Sequence, residues 1–235
     1  MPANRFFISS EFTKGEEICL DGTEHHHLIH VMRFQEEDAI ELVNGKGESA
    51  TAKILEVKKK ETKVQILTTI HHPNQNPHIS LVIPVMRMSK LEWVIEKGTE
   101  LGADGFIIYT ADHFEKETIS THQLERLCSI AIASLKQSGR FYLPTIEMAA
   151  HLSSILKKEG FFLFGDPNEK KPISRNIDSP TFLITGPEKG FSQKELSSLR
   201  EKGKSVCLSA YTLRAETAPI AALSVVAIDK IQVNS

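Results

Sequence analysis

Cysteine is scarce in this chain, tryptophan occurs once, and neither sign of charge dominates. The three cysteines, Cys19, Cys128 and Cys207, are far apart and odd in number, which argues against a disulfide framework and against a CxxC zinc or redox site. A formal net charge of −2 excludes a protein that grips nucleic acid through bulk positive charge, while leaving room for a local basic face. No apolar run approaches the roughly 20 residues of a membrane span. The N-terminal MPANRFFIS has no apolar stretch of the kind that directs secretion. The expectation is a soluble, cytoplasmic protein with neither a membrane segment nor a metal. What the chain does contain is 235 residues, 40% of them hydrophobic, enough for one large or two small domains with real cores.

Two rhythms divide the sequence. From Arg5 to about Ile70 the apolar residues alternate in short runs (RFFIS, EEICL, DAIELV, TAKILEV, KVQILTTI), and Asn44-Gly45-Lys46-Gly47 between two of them is a hairpin signal. One helical stretch, roughly 24–33, interrupts these strands, so the segment reads as a small β-rich barrel or sandwich. HHPNQNPH, residues 71–78, reads as a linker. Beyond it, strands and helices alternate. ISLVIPVM is a buried strand, Ser89 to Glu92 a capping box opening a helix, FIIYT a strand, and 121–138 a helix with Gly139 at its C′ position. A helix over 149–160, the strands FFLFG and TFLIT, a second capping box at Ser192 to Glu195, the strand SVCLS and a last helix with Pro219 at its first position complete the series. Such alternation implies a parallel sheet covered by helices on both faces. The domains are placed at 1–72 and 73–235. They carry nearly neutral charge, −3 and +1, and Lys58-Lys59-Lys60 reads as a solvated strand end.

In an open α/β sheet the ligand crevice lies beyond the carboxyl ends of the strands. The loops there with unusual composition are 186–190, bounded by glycines, and 208–219, which carries Arg214 and Glu216 between an apolar strand and an apolar helix. The first reads either as a tight turn or as a backbone cradle at a helix N-terminus. The second holds either a structural Arg–Glu pair or a functional one. Arg140, after Gly139, either meets the helix carbonyls or stabilises a planar anion. GxGxxG is absent, and Ser198 stands where the first glycine of a Walker A loop would be. His26 and His30 share a helical face but lack further metal ligands in a recognised spacing. Cys128, Cys207, Trp93 and the phenylalanines read as core.

The ordered motifs resemble the RsmE family of small-subunit ribosomal RNA uridine N3-methyltransferases, within the SPOUT superfamily. The match runs through Arg5-Phe6-Phe7, His26-His27-Leu28 to Val31-Met32-Arg33, and Asp38 to Leu42 with Asn44 to Gly47. It continues through Lys90, Glu92-Trp93, Lys97 to Gly102, Gln137 to Arg140, Gly186 to Phe191, and Leu213 to Ala218. The chain departs from the family pattern at Lys189, Ser209, Tyr211 and Thr212, and at Asp112-His113-Phe114.

The resemblance implies an α/β protein in which an N-terminal PUA-like β-barrel precedes a SPOUT domain with a C-terminal trefoil knot. It implies binding of S-adenosylmethionine and a homodimer acting on 16S ribosomal RNA within the small ribosomal subunit. Thr185, Gly186, Pro187, Glu188, Leu208, Ser209, Leu213, Thr217 and Ala218 would hold the cofactor. Arg140 or Arg214 would stabilise the ionised uridine, with Glu216 orienting an arginine. Arg5, Arg33, Lys90 and Lys97 would contact RNA, and affinity for it would be modest and salt-sensitive. A noncatalytic RNA-binding or assembly factor would follow if Lys189 and Ser209 blocked the cofactor pocket.

Overall fold

The computed structural model describes residues 4–74, 78–113, 119–173 and 179–227. The chain divides into two units, one of residues 1–75 and 132–143, the other of 76–131 and 144–235.

The first unit is built on a curled five-stranded sheet. Its strands are β1 (Arg5–Phe7), β2 (Glu17–Asp21), β3 (Ala39–Val43), β4 (Glu48–Val57) and β5 (Glu61–His71), in the order β1-β3-β4-β5-β2. All neighbours are antiparallel except β1 and β3. Alternation does what the sequence pattern demands: Thr62, Val64 and Ile66 of β5 point inward and the residues between them outward. Register shifts at Thr51/Ala52 and Ile54/Glu56 bend β4 against β5. The curled sheet closes over Phe6, Leu20, Leu28, Ile40, Leu42 and Ile54. In the β3–β4 hairpin the Asn44 side chain accepts hydrogen bonds from the Lys46 and Glu48 amides, so the loop is held by the asparagine oxygen. The helix expected over 24–33 starts earlier, as α1 (Gly22–His26). It then widens into a π turn that ends at Val31 (His27–Val31), and just beyond it Arg33 takes a φ of 59°.

The second unit carries a six-stranded sheet. Its strands are β6 (Ile79–Pro84), β7 (Gly105–Tyr109), β8 (Thr145–Ala149), β9 (Phe161–Gly165), β10 (Thr181–Ile184) and β11 (Lys204–Val206). All are parallel, in the order β11-β9-β10-β6-β7-β8. The helices are α2 (Met88–Glu100), α3 (Thr121–Ser138), whose residues from Ile132 belong to the first unit, α4 (Leu152–Ile155), α5 (Gln193–Lys202) and α6 (Thr217–Ala227). They cover both faces. Leu81 and Phe106 lie under Gly98 of α2, where an added Cβ would come within 2.6 Å of the Phe106 ring. Their neighbours Val82 and Ile107 face the other way, into a cluster with Leu152, Ile155 and Leu199.

Several local expectations are corrected. The box at Ser89 does not form: α2 begins at Met88 with Arg87 as its N-cap, whose carbonyl accepts from the Lys90 and Leu91 amides. Only one turn forms in 149–160, because Leu152, Ile155 and Leu156 supply apolar contacts and the charged residues after them supply none. Strand β8 escapes the sequence pattern because it is an edge strand, largely exposed and paired only with β7. Pro219 is the third residue of α6, still within the first turn, where its missing N–H goes unneeded. Trp93, read as core, is 39% exposed. Gly139, at φ 81°, does cap α3, and the Arg140 amide closes the turn on the Leu135 carbonyl.

Candidate active site

The chain runs outward from β6 through β7 to β8, then crosses back so that β9 and β10 lie on the other side of β6. The strand order reverses between β6 and β10, and a crevice is expected beyond their carboxyl ends. A cavity of about 410 Å³ lies there, walled by the loops after β9, β10 and β11. All the residues expected to hold the cofactor line it except Thr217, which starts α6 beside it.

Thr185 forms the floor. Its amide donates to the Val82 carbonyl and its own carbonyl accepts from the Tyr109 hydroxyl at 3.1 Å. Its Oγ1 is buried and has no hydrogen-bond partner among the described residues. Tyr109 is wholly buried, and burial, with the charges of Glu195 and Asp112, pushes its phenol well above the usual range, so it stays a donor. After Thr185 the loop turns at Gly190, whose amide donates to Pro187 and whose φ of 75° suits glycine. It enters α5 through the expected capping box: Ser192 Oγ accepts from the Glu195 amide, and the Glu195 carboxylate accepts from the Ser192 amide. Ser192 Oγ also donates to Asp112 at 2.6 Å, and Glu195 accepts from the Asp112 amide. Asp112 thus fastens the loop after β7 to the start of α5. His113 is exposed, and Phe114 lies outside the described residues.

The departures at Lys189 and Ser209 do not fill the cavity. Lys189 is exposed and absent from its walls. Ser209 lines it with a hydroxyl turned to accept from the Tyr211 amide. Tyr211 stands 84% exposed at the rim.

The expected Arg214–Glu216 pair is replaced by a different one. Arg214 is exposed, and its carbonyl accepts from the Thr217 and Ala218 amides at the head of α6. Glu216 faces Lys90 of α2, at 3.0 Å, and the same lysine donates to Glu188 at 2.5 Å. Hydrogen bonds to Glu188 and then Glu216 raise the Lys90 pKa. The Lys90 bond lowers that of Glu188. Burial pushes Glu216 up, but its own backbone amide and Lys90 outweigh this and hold it below the usual carboxylate value.

The other expected residues lie elsewhere. Arg140 belongs to the first unit, where its carbonyl accepts from Arg5. Arg5, expected to face RNA, is only 6% exposed. Its guanidinium is forked onto Glu41 at 2.7 and 2.8 Å and lies over the Phe141 ring, so it serves the interior of this unit. Arg33 is exposed, whereas Lys97 is paired with Glu96 and Glu100. The His26 and His30 rings pack at 4.8 Å, and among the described residues no cluster of three metal-ligating side chains occurs. The loop that starts at Asp166 is also expected at a carboxyl strand end, but the sequence singled out none of its residues; in the structure Gly165, Asp166 and Asn168 wall the cavity together with Phe191 and Leu196. The signal was Asp-Pro-Asn directly after the apolar run FFLFG.

Comparison with known proteins bears on this arrangement. A family model described as an RNA methyltransferase domain matches residues 73–227, and one described as an RNA methyltransferase PUA domain matches 20–67. The ribosomal RNA small subunit methyltransferase E of Rickettsia conorii is 29% identical over 234 residues, covering 95% of each chain. A methyltransferase of Legionella pneumophila, solved with bound cofactor SAM, superposes with a TM-score of 0.88 at 24% identity, over 97% of this chain and 98% of that one. The ribosomal RNA small subunit methyltransferase E of Neisseria gonorrhoeae, solved with S-adenosyl methionine, gives 0.85 at 24% identity, over 94% and 95%. Among the described residues no helix is long and apolar enough to cross a membrane.

Proposed function

Since the chain belongs to the RNA methyltransferase family, we propose that it is an S-adenosylmethionine-dependent enzyme acting on N3 of a specific uridine in 16S ribosomal RNA of the small subunit. In this reading residues 1–72 form a PUA-like barrel that binds RNA, and 73–235 a SPOUT domain whose C-terminal loops are knotted. Two copies work together in the cytoplasm.

The observation that carries the reading is the cavity at the switch point. At about 410 Å³ it lies within the range of small-molecule sites, and it combines apolar walls with a few convergent polar groups. The unpartnered Thr185 hydroxyl is the kind of buried group that a ligand must satisfy. Leu208, Leu213 and Ala218 offer an apolar surface suited to an adenine ring, and the backbone of Gly186 and Leu208 offers donors and acceptors at its edge. Gly186 lets Phe191 close in: a Cβ there would sit 3.2 Å from the ring.

S-adenosylmethionine supplies a methyl group on a sulfonium, ready for in-line displacement. The protein's share is orientation and charge. The acceptor nitrogen must be held within roughly 3–3.5 Å of the methyl carbon, a constraint that rigid walls can meet. Uridine N3 must also give up its proton to solvent water, leaving negative charge spread over the nitrogen and the flanking carbonyls. The planar fork of Arg214, exposed beside the cavity, suits that charge as it develops, and Arg140 is the second candidate. Exposed Arg33, with Lys97 beside its carboxylate partners, would add a modest electrostatic contact to RNA.

Calorimetry with S-adenosylmethionine, and mass spectrometry of 16S ribosomal RNA from cells with and without the protein, test this reading. A methylated uridine that disappears with the protein is expected. An unchanged modification pattern together with no heat of binding would overturn it.

A further inference from the structure

We propose that Lys90 is a positioning residue: it joins two walls of the cavity, and its removal loosens both. Glu188 belongs to the loop after β10 and lines the cavity. Glu216 belongs to the segment between β11 and α6, flanked by the lining residues Ala215 and Ala218. Glu216 Oε2 is buried, and the ammonium of Lys90, 3.0 Å away, supplies its balancing charge. The same ammonium reaches Glu188 at 2.5 Å.

The post from which Lys90 reaches is fixed. Helix α2 packs on α6 and lies so close to the sheet at Gly98 that no side chain fits between. The loop of Glu188, by contrast, is bounded by Gly186 and Gly190 and mostly exposed. The two contacts therefore differ in kind. Glu216 is 15% exposed and sheltered from solvent screening, which makes it the anchor; Glu188 is 71% exposed and is the releasable end. A lysine suits this task because its three donors rotate and can serve two carboxylates at once. Arg87 and Arg214 add positive charge near Glu188 and Glu216 respectively, but among the described residues neither forms an ion pair with them. With its charge so placed, Lys90 is occupied within the protein rather than presented to RNA.

The consequence for binding rests on the reading of the cavity as the S-adenosylmethionine site; the coupling of the two walls does not. Hydrogen–deuterium exchange on the full chain separates the two. Lys90→Gln is expected to raise exchange in both 185–190 and 208–218, while Lys90→Arg restores protection. In calorimetry Lys90→Gln should weaken S-adenosylmethionine about tenfold, a coupling typical of a shared charge network, with binding to small ribosomal subunits unchanged. Unaltered exchange in Lys90→Gln would overturn the proposal. So would a variant that binds S-adenosylmethionine normally and small subunits poorly, which would make Lys90 an RNA contact. If both loops loosen in the variant but the wild-type chain shows no heat with S-adenosylmethionine, the coupling stands and the cofactor reading falls.

Discussion

Tyr109 and Thr185 are bound across the centre of the sheet: the phenol at the end of β7 donates to the carbonyl of the residue that follows β10. Tyr109→Phe would strip a partner from that buried carbonyl, at a cost of about 1–3 kcal/mol. Urea denaturation should show the loss as a lower midpoint with an unchanged slope. An unchanged midpoint would mean that the carbonyl is satisfied in another way.

Ser192 supports two contacts with one hydroxyl, receiving the Glu195 amide and donating to Asp112. Replacing it by alanine removes an N-cap, for about 1 kcal/mol, and also frees the loop after β7. Ser197→Ala, exposed on the same helix, serves as the control and should be close to neutral. Thermal melts of the two variants give the comparison, and equal melting temperatures would contradict the capping role.

Arg214→Ala should lower single-turnover methylation of small subunits by about 10²-fold, the typical effect of removing one donor from developing negative charge. Its calorimetric affinity for S-adenosylmethionine should stay near the wild-type value. Arg140→Ala is expected to behave in the same way. Whichever variant keeps full turnover is removed from the mechanism.

His72 stacks on Phe141 and meets Ser49 Oγ at 2.8 Å, and its pKa is lowered chiefly by burial and then by the Arg5 charge, with Glu41 opposing. The native state therefore binds this proton less readily than the unfolded chain, so stability rises with pH through this window. The contribution is fully present above the ordinary histidine pKa of about 6.5 and fades as the solution is acidified below it. Melting temperatures between pH 7.5 and 5 should fall less in His72→Gln than in the wild type. Parallel curves would show that His72 is not the titrating group.

Elements whose residues pack against a uniform neighbour were legible in the sequence. β6, with all six residues buried, is apolar at every position but Ser80, and the capping box of α5 announces itself at Ser192 and Glu195. What escaped depended on partners remote in sequence. Edge strand β8 carries no alternating signal because neither of its faces is buried. Arg5 looked like an exposed cation until Glu41 and Phe141 enclosed it. In the site, glycine-bounded composition marked the loop of Glu188. No local rule could say that Glu216 would face Lys90 instead of the arginine two residues before it, because α2 reaches that spot only through the fold.

The placement of β10 between β9 and β6 has a consequence for biogenesis. A nascent chain must emit β7, β8 and β9 before the strand that belongs on the other flank of β6 exists, so one edge of a largely apolar ribbon stays naked throughout. Truncated products therefore carry a sticky seam and lack the pocket altogether, and only a nearly finished polypeptide gains both solubility and competence.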